Sequence, residues 1–253
     1  MGLEAVTFDV WNTLMVHEYY DDRLKNHRMK CIRQALGDAG IAFTCPQIKA
    51  AYDYTEECLS STWKSERDVS LESHLGLFLE GLGLELDDDL IEIIREPYAH
   101  ALLHFRPQLI DGAADLLKGL QKQGYRIGLI SNTGRTPGRT MRIVLEDYDI
   151  SGCFDAMIFS DEIGYIKPNR KIFEKALAGL GTLPEKAVHV GDHPLLDVYG
   201  ARACGWKAIH FTRYMANFEK YAAKYYSANG RVSEPDWTTD SLGEVEKALE
   251  AMR

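Results

Sequence analysis

The sequence predicts an α/β fold, a parallel β-sheet core with helices on both faces, interrupted by an all-helical segment. Three observations carry that expectation. Short apolar runs recur along the chain, most of them closed by a polar residue. From residue 107 onward they alternate with helix-periodic stretches. Between about Tyr19 and Leu103 no convincing strand occurs. Short, nearly continuous apolar runs suit strands buried on both faces, and their alternation with helices implies βαβ units and a parallel sheet.

The first run is Glu4 to Asp9, β-prone and ending in an acid. In the helical segment, Met29, Ile32, Leu36 and Ala39 share one helical face, and Gly40 ends it. Pro46 suits a helix start, with Ile48, Tyr52, Thr55 and Leu59 facing inward. Leu71, Leu75, Phe78, Leu79 and Leu82 make the strongest stripe. Asp87, Asp88 and Asp89 fit the N-terminus of a further helix, where the helix dipole favours negative charge, and Pro97 is expected to break or restart it. Beyond residue 106, Ala113 to Gln123 carries Leu116, Leu117 and Leu120 and stops at Gly124. Arg170 to Leu180 carries Ile172, Phe173, Ala176 and Leu180 and stops at Gly181. The remaining strands are Arg126–Ser131, Ala156–Ser160, Ala187–Gly191 and Lys207–Phe211. Met215, Phe218 and Tyr221 suggest a helix in the polar, Tyr-rich stretch from Thr212 to Thr239. Ser241 to Met252 reads as a final amphipathic helix through Leu242, Val245, Leu249 and Met252. The expected architecture is a Rossmann-like core of five main parallel strands from residues 1–16 and 106–253. An all-helical domain of three to five helices, residues 17–105, is inserted after the first strand.

The 253 residues are 45% hydrophobic and 26% charged, ordinary for a globular protein, and the formal net charge of −9 argues against a general nucleic-acid-binding surface. Cys31, Cys45, Cys58, Cys153 and Cys204 are odd in number and form no CxxC pair, which fits scattered thiols in a reducing compartment rather than a disulfide framework or zinc ribbon. No basic leader precedes the first run, Val6 stands where a myristoylation signal wants Ser or Thr, and no run approaches the roughly 20 apolar residues of a membrane span. A cytoplasmic protein with no membrane partner is expected.

Polar residues follow four of the strands: Asp9, then Ser131-Asn132-Thr133, then Lys167 after a short loop, then Asp192. In an open parallel sheet, ligands bind beyond the carboxyl ends of the strands, so these groups converge if the strands are neighbours. A carboxylate can attack phosphorus. Asp9 and Asp192 repel unless a cation lies between them, and oxygen ligands suit Mg²⁺. Phosphoryl transfer needs positive charge and donors around the non-bridging oxygens, which Lys167 and Ser131 can supply.

These residues resemble the haloacid dehalogenase-like superfamily. Phe8-Asp9-Val10-Trp11-Asn12-Thr13-Leu14 is similar to its first motif, normally Asp-x-Asp-Gly-Thr-Leu. Ser131-Asn132 resembles the second motif. Lys167-Pro168, followed by Ile172-Phe173, resembles the third, and Gly191-Asp192, with Asp197 five residues on, the fourth. The core resemblance covers residues 1 to 16 and about 106 to 212, and the helical insert sits where one class carries a helical cap. The resemblance implies that Asp9 is the nucleophile and a metal ligand, and that Ser131 binds the transferring group. It implies that Thr13 orders the loop near the nucleophile and lines the substrate site with Ser131, Asn132 and Trp11. Lys167 would neutralise charge and hold Asp9. Asp192 and the Trp11 carbonyl would coordinate Mg²⁺, and Asp197 would support the metal or its waters, or orient Lys167. The substrate implied is a small phosphorylated metabolite.

Trp11 departs from the pattern, because phosphatases of the superfamily usually carry Asp there to protonate the leaving alcohol and activate water. Three readings stay open. The first is a phosphatase with a substitute acid, for which His17 and Glu18 are candidates, or with activated substrates such as acyl or aryl phosphates. The second is carbon–halogen or carbon–phosphorus cleavage: dehalogenases of the superfamily carry an aromatic at this position but lack the fourth-motif acid, and phosphonate-cleaving relatives need a cap lysine, for which Lys25, Lys30, Lys49 and Lys64 are available. The third is a binding protein that has lost turnover. Trp11 itself either packs cap against core or stacks on substrate. Arg135, Arg139 and Arg142 offer an anion site or an exposed loop leading into a helix, and His193 offers a substrate contact or a loop filler.

Overall fold

The computed structural model describes residues 2–17, 22–214 and 230–252. Glu18 and the expected helix around Met215, Phe218 and Tyr221 lie outside these residues. The chain opens with β1 (Ala5–Phe8) and the short β2 (Met15–Val16), then forms α1 (Asp22–Asp38), α2 (Cys45–Lys64), α3 (Leu71–Gly81), α4 (Asp88–Ala99) and α5 (Ala101–His104). It returns through β3 (Gln108–Leu109), α6 (Ala113–Lys122), β4 (Arg126–Ser131), α7 (Gly138–Asp147), β5 (Ala156–Phe159), α8 (Ser160–Ile163) and α9 (Arg170–Leu180). Then come β6 (Ala187–Gly191), a π-helical turn Pro194–Tyr199 running into α10 (Gly200–Ala203), β7 (Lys207–Phe211), β8 (Trp237–Thr239) and a C-terminal helix, Val245–Ala251.

The main sheet has the order β5-β4-β1-β6-β7-β8 and every pair is parallel. Phe8, the last residue of β1, pairs with Leu129 on one side and Val190 on the other. The carboxyl ends of β4, β1 and β6 therefore lie side by side, and the polar residues that follow them share one edge of the sheet. Alternate side chains point to opposite faces. Val6, Phe8, Leu129, Val190, Ile209 and Phe211 pack with Leu116, Leu120, Val144, Val245 and Leu249 on one face. Ala5, Ile130, Ile158 and Ala208 pack with Ile172, Phe173, Ala176 and Leu180 of α9 on the other.

Helices α1 to α4 bury a separate apolar cluster that includes Ile32, Leu36, Ile48, Tyr52, Leu75, Phe78, Ile91 and Tyr98. Their ends follow the sequence. Thr44 and Gln47 form a capping box ahead of α2, with Pro46 in its first turn, and Asp87 caps α4 by accepting from Leu90 N at 3.0 Å. The helices meet the core through directed contacts. The buried Arg28 guanidinium donates to Tyr98 O at 2.9 Å, Tyr52 Oη at 3.2 Å and, across the seam, Thr136 Oγ1 at 3.4 Å. Thr140 Oγ1 donates to Ala99 O at 3.1 Å.

The structure corrects the sequence reading in three places. A sixth parallel strand, β8, pairs with β7 in a stretch where only a polar tail was legible. The chain leaves and re-enters the core through a two-stranded antiparallel ribbon, Met15–Val16 against Gln108–Leu109, too short to show a period. Helix α4 runs through Pro97 and ends two residues later, so the break falls at His100 rather than at the proline. All five cysteines are free thiols, and no helix among the described residues is long and apolar enough to cross a membrane.

Candidate active site

Asp9 leaves the end of β1 and sits between two neighbouring strand ends. Its carboxylate oxygen Oδ1 lies 2.7 Å from Lys167 Nζ, and the same ammonium lies 2.6 Å from Asp197 Oδ1. Asp9, Asp192 and Asp197 are all buried, and one carboxylate oxygen from each falls within 4.8 Å of the others. Three of the residues expected beyond the strand ends, Asp9, Lys167 and Asp192, are thus brought together, with Asp197 as the fourth member of the cluster.

Local structure explains how each is held. Asn132 reads both backbone groups of Lys167: Lys167 N donates to Asn132 Oδ1 at 2.8 Å, and Asn132 Nδ2 donates to Lys167 O at 3.2 Å. The carboxamide expected to touch substrate therefore also fixes the backbone of Lys167. Gly191 is required where it stands, because a Cβ there would fall 2.3 Å from Asp197 Cγ. That close approach lets Asp197 reach back under the strand end. Asn12 occupies the glycine position of the first motif with φ 57°, a left-handed conformation that Asn tolerates better than most residues. Its Nδ2 donates to Asp192 Oδ2 at 3.1 Å, a bond that Gly could not make.

The electrostatics follow from the burial. Burial pushes the Asp9 carboxyl up to about 6, with Asp197 adding to the shift and Lys167 opposing it. Burial, then Asp197 and Asp9, push Asp192 well above the ordinary carboxylate range. Burial acts the same way on Asp197, but the Lys167 ammonium and His189 hold its carboxyl well below that range. Burial works against the Lys167 ammonium, yet Asp197 and Asp9 hold it above its usual value. Burial keeps His189 below its usual value and so neutral, despite Asp197. With every group ionised, three carboxylates face one ammonium, an excess of two negative charges in a buried place. That is the charge of one divalent cation, and an all-oxygen donor set suits a hard one. The oxygens present therefore fit a magnesium-like ion.

Two buried hydroxyls lie on the segments that follow β1 and end β4. Thr13 Oγ1 and Ser131 Oγ have no hydrogen-bond partner among the described residues. Buried polar groups are nearly always paired, so these two orphans, one in the turn after β1 and one closing β4, are open to a ligand oxygen. Sequence reasoning missed His189. Asp197 can only accept, so His189 Nε2 carries the proton that reaches Asp197 Oδ1 at 3.0 Å, while Nδ1 lies 2.8 Å from Thr7 Oγ1. Its signal was a histidine inside an otherwise apolar strand, which reads equally as a tolerated core residue.

Other candidates resolve differently. His193 Nδ1 accepts from Leu195 N and Leu196 N at 3.0 and 3.2 Å, capping the turn that carries Asp197. Arg135 is paired with Glu56, Arg139 with Glu96 at 2.7 Å and Arg142 with Glu162, so these guanidiniums bind carboxylates of this chain instead of forming an anion site. Trp11 is half-buried and packs against the core, its ring edge-on to His17 at 6.3 Å. His17 Nε2 donates to Phe105 O at 2.8 Å, so in its neutral form this histidine can only take up a proton at Nδ1, not give one. Lys25 pairs with Asp53 at 2.9 Å; burial opposes its charge, but Asp53 holds the ammonium above its usual value, the reverse of what an imine-forming lysine needs. Lys30, Lys49 and Lys64 are exposed.

Comparisons with known proteins bear on the family and the fold. Residues 3–205 match the family described as haloacid dehalogenase-like hydrolase. The chain is 30% identical over 212 residues to the glyceraldehyde 3-phosphate phosphatase of Methanothermobacter thermautotrophicus, covering 82% of this chain and 84% of that protein. It is 36% identical over 98 residues to human haloacid dehalogenase-like hydrolase domain-containing protein 3, covering 39% of this chain and 38% of that one. The crystal structure of a HAD phosphatase from Thermococcus onnurineus superposes with a TM-score of 0.58 at 25% identity, over 98% of both chains. A 2-haloacid dehalogenase from Pseudomonas syringae pv. Tomato DC3000 superposes at 0.68 with 20% identity, over 99% of this chain and 100% of that one, a likeness of fold.

Proposed function

The chain belongs to the haloacid dehalogenase-like hydrolases, and we propose that it is a Mg²⁺-dependent phosphatase that hydrolyses a small phosphorylated metabolite through an aspartyl phosphate on Asp9. The observation that carries this reading is the buried excess of two negative charges beside Lys167. Asp9, Asp192 and the Trp11 carbonyl would hold the ion. Asp197 offers an oxygen within reach, but Oδ1 already binds Lys167 and His189 and Oδ2 accepts from His193 N at 2.9 Å. Its role is therefore to orient Lys167. When bound, Mg²⁺ neutralises charge on the phosphoryl oxygens.

The chain's own residues supply the rest. The Asp9 carboxylate attacks phosphorus, forming an O–P bond as the bond to the leaving oxygen breaks. Lys167 and the Ser131 hydroxyl stabilise the non-bridging oxygens. Water then attacks phosphorus, the Asp9 O–P bond breaks, and phosphate leaves with the carboxylate restored. Residues 17–105 act as a cap that closes over the strand ends and excludes water, with Trp11 at the seam where its face can meet substrate.

Trp11 cannot protonate a leaving alkoxide. General acid help is worth about 10²–10⁴-fold, so acyl and aryl phosphates, whose leaving groups need no proton, should be turned over faster than alkyl phosphates by a factor in that range. Phosphate release in Mg²⁺ from both kinds, with glyceraldehyde 3-phosphate among the alkyl esters, tests this. Equal rates would mean that another residue supplies the acid. Release of halide from a 2-haloacid without Mg²⁺, and no phosphate from any ester, would replace the phosphatase reading with a dehalogenase.

Metal binding has its own signature in stability. A carboxyl raised above its unfolded value stabilises the fold while protonated, and that contribution is lost as pH rises through the folded pKa. For Asp9 the loss runs from the ordinary carboxylate range up to about 6, and Asp192 is shifted in the same direction. A cation competes with these protons and relieves the repulsion above that range. At ten times its Kd, Mg²⁺ should add about 1.4 kcal/mol and raise Tm by about 3–6 °C at pH 7.5, and do almost nothing at pH 5. A Tm at pH 7.5 indifferent to Mg²⁺ would count against the metal assignment.

A further inference from the structure

We infer that Asp68, a carboxylate of the helical segment, is a positioning residue for the 131–133 loop and acts through Ser160; its kinetic consequence rests on the phosphatase reading. The connection between α2 and α3 lies against the core turn that precedes Lys167. Asp68 N donates to Gly164 O at 3.1 Å, Ile166 N donates to Glu66 O at 3.3 Å, and the Arg67 guanidinium lies 4.3 Å from the Tyr165 ring centre. The Asp68 side chain is completely buried, where a carboxylate needs several donors. It has three. Trp63 Nε1 and Val69 N each donate to Oδ1 at 2.9 Å, and Ser160 Oγ donates to Oδ2 at 2.5 Å. The first two come from the helical segment and fix the carboxylate; the third crosses into the core.

The direction of that third bond matters. A serine hydroxyl has one proton and two lone pairs. A carboxylate can only accept, so the Ser160 proton goes to Asp68 and its lone pairs face the other way. They meet Thr133, whose backbone N donates at 2.9 Å and whose Oγ1 lies at 3.0 Å. Thr133 follows Ser131 and Asn132 directly, and Asn132 clamps the backbone of Lys167. A continuous chain of bonds therefore runs from the helical segment to the phosphoryl-binding hydroxyl and the catalytic ammonium. Asp68→Asn keeps the size and leaves an acceptor for Trp63 and Val69. An amide nitrogen at the Oδ2 position would instead donate to Ser160, so the hydroxyl proton would turn to Thr133 Oγ1, 3.0 Å away, and the charged anchor that holds Ser160 and its bond to Thr133 N in place would be lost.

Two readouts test this on the full chain. The first is kcat and KM for p-nitrophenyl phosphate with Mg²⁺, for Asp68→Asn, Ser160→Ala and the double variant. In each single variant kcat should fall about 10-fold or more with KM changed by less than about twofold, since binding groups are intact but misplaced. The double variant should be no slower than the slower single one, because both act through one bond. An unchanged kcat, or losses that multiply, would overturn the inference. The second is hydrogen exchange at the Thr133 amide without substrate, which should quicken in both variants. It separates the two claims: absence of phosphatase activity in the parent chain with faster Thr133 exchange in the variants sinks only the phosphatase reading, whereas unchanged exchange sinks the coupling whatever the activity. Ser160→Ala removes a single oxygen, so it carries both readouts should Asp68→Asn fail to fold.

Discussion

Asp9→Asn should lower phosphate release by about 10⁴–10⁶-fold, the loss seen when a covalent nucleophile is removed, while leaving the protein folded. The amide is nearly the size of the carboxylate and still accepts from Lys167, but it has no anionic oxygen to attack phosphorus. Stability should change little, because two effects oppose. Lys167 loses one of its two carboxylate partners, 2.7 Å away. Against that, burial has already pushed Asp9 up to about 6, so holding it ionised at neutral pH costs free energy that the neutral amide does not, and repulsion with Asp192 and Asp197 is relieved. Steady-state turnover and a thermal melt on the same sample check both halves. Activity within tenfold of the parent would remove Asp9 from the nucleophile's role.

Lys167→Met should be the more damaging change to the fold. Lys167 is 1% exposed and pairs with two carboxylates that are themselves buried. Removing one partner of a buried ion pair leaves uncompensated charge and costs about 3–5 kcal/mol, and here the charge left behind is that of Asp9, Asp192 and Asp197 together. The cost depends on pH with a definite sign. Burial raises Asp9 and Lys167 is the main influence lowering it, so in the variant its folded pKa rises further above the unfolded value. Such a group is stabilising while protonated, and that stability is lost as pH rises through its folded pKa. The penalty of Lys167→Met should therefore be largest at pH 8 and shrink as pH falls towards about 6, below which Asp9 is protonated in both folded proteins. Urea unfolding at the two extremes measures it. A penalty that is flat with pH, or larger in acid, would mean that Lys167 does not neutralise this cluster.

The reach of the sequence can be judged from these residues. Asp9, Ser131 and Asp192 were legible because each ends or follows a short apolar run, and a parallel sheet brings the ends of β1, β4 and β6 together. Lys167 was legible from its place before a proline and a helical stripe. What it is held by was not. Asn132 reads in sequence as a substrate-facing neighbour of Ser131, and only the fold puts it against a backbone 35 residues away. Arg135 and Arg139 look like an anion site until the helical segment places Glu56 and Glu96 beside them, 79 and 43 residues distant. Asp68 is separated from Ser160 by 92 residues. Periodicity reports which face of an element is buried; it carries nothing about which polar group on another element comes to meet it. Strand β8 was hidden for another reason. Three residues, Trp237–Thr239, pair only at the sheet edge and have no apolar run to announce them.

The central claim is covalent transfer of phosphoryl to Asp9. Its most direct measurement is rapid acid quench during turnover of ³²P-labelled acetyl phosphate in Mg²⁺, followed by proteolysis and identification of the labelled peptide. The label should sit on the peptide containing Asp9, appear before free phosphate, and be absent in Asp9→Asn. Phosphate released at full rate with no label on that peptide, or label that persists in Asp9→Asn, would contradict the mechanism.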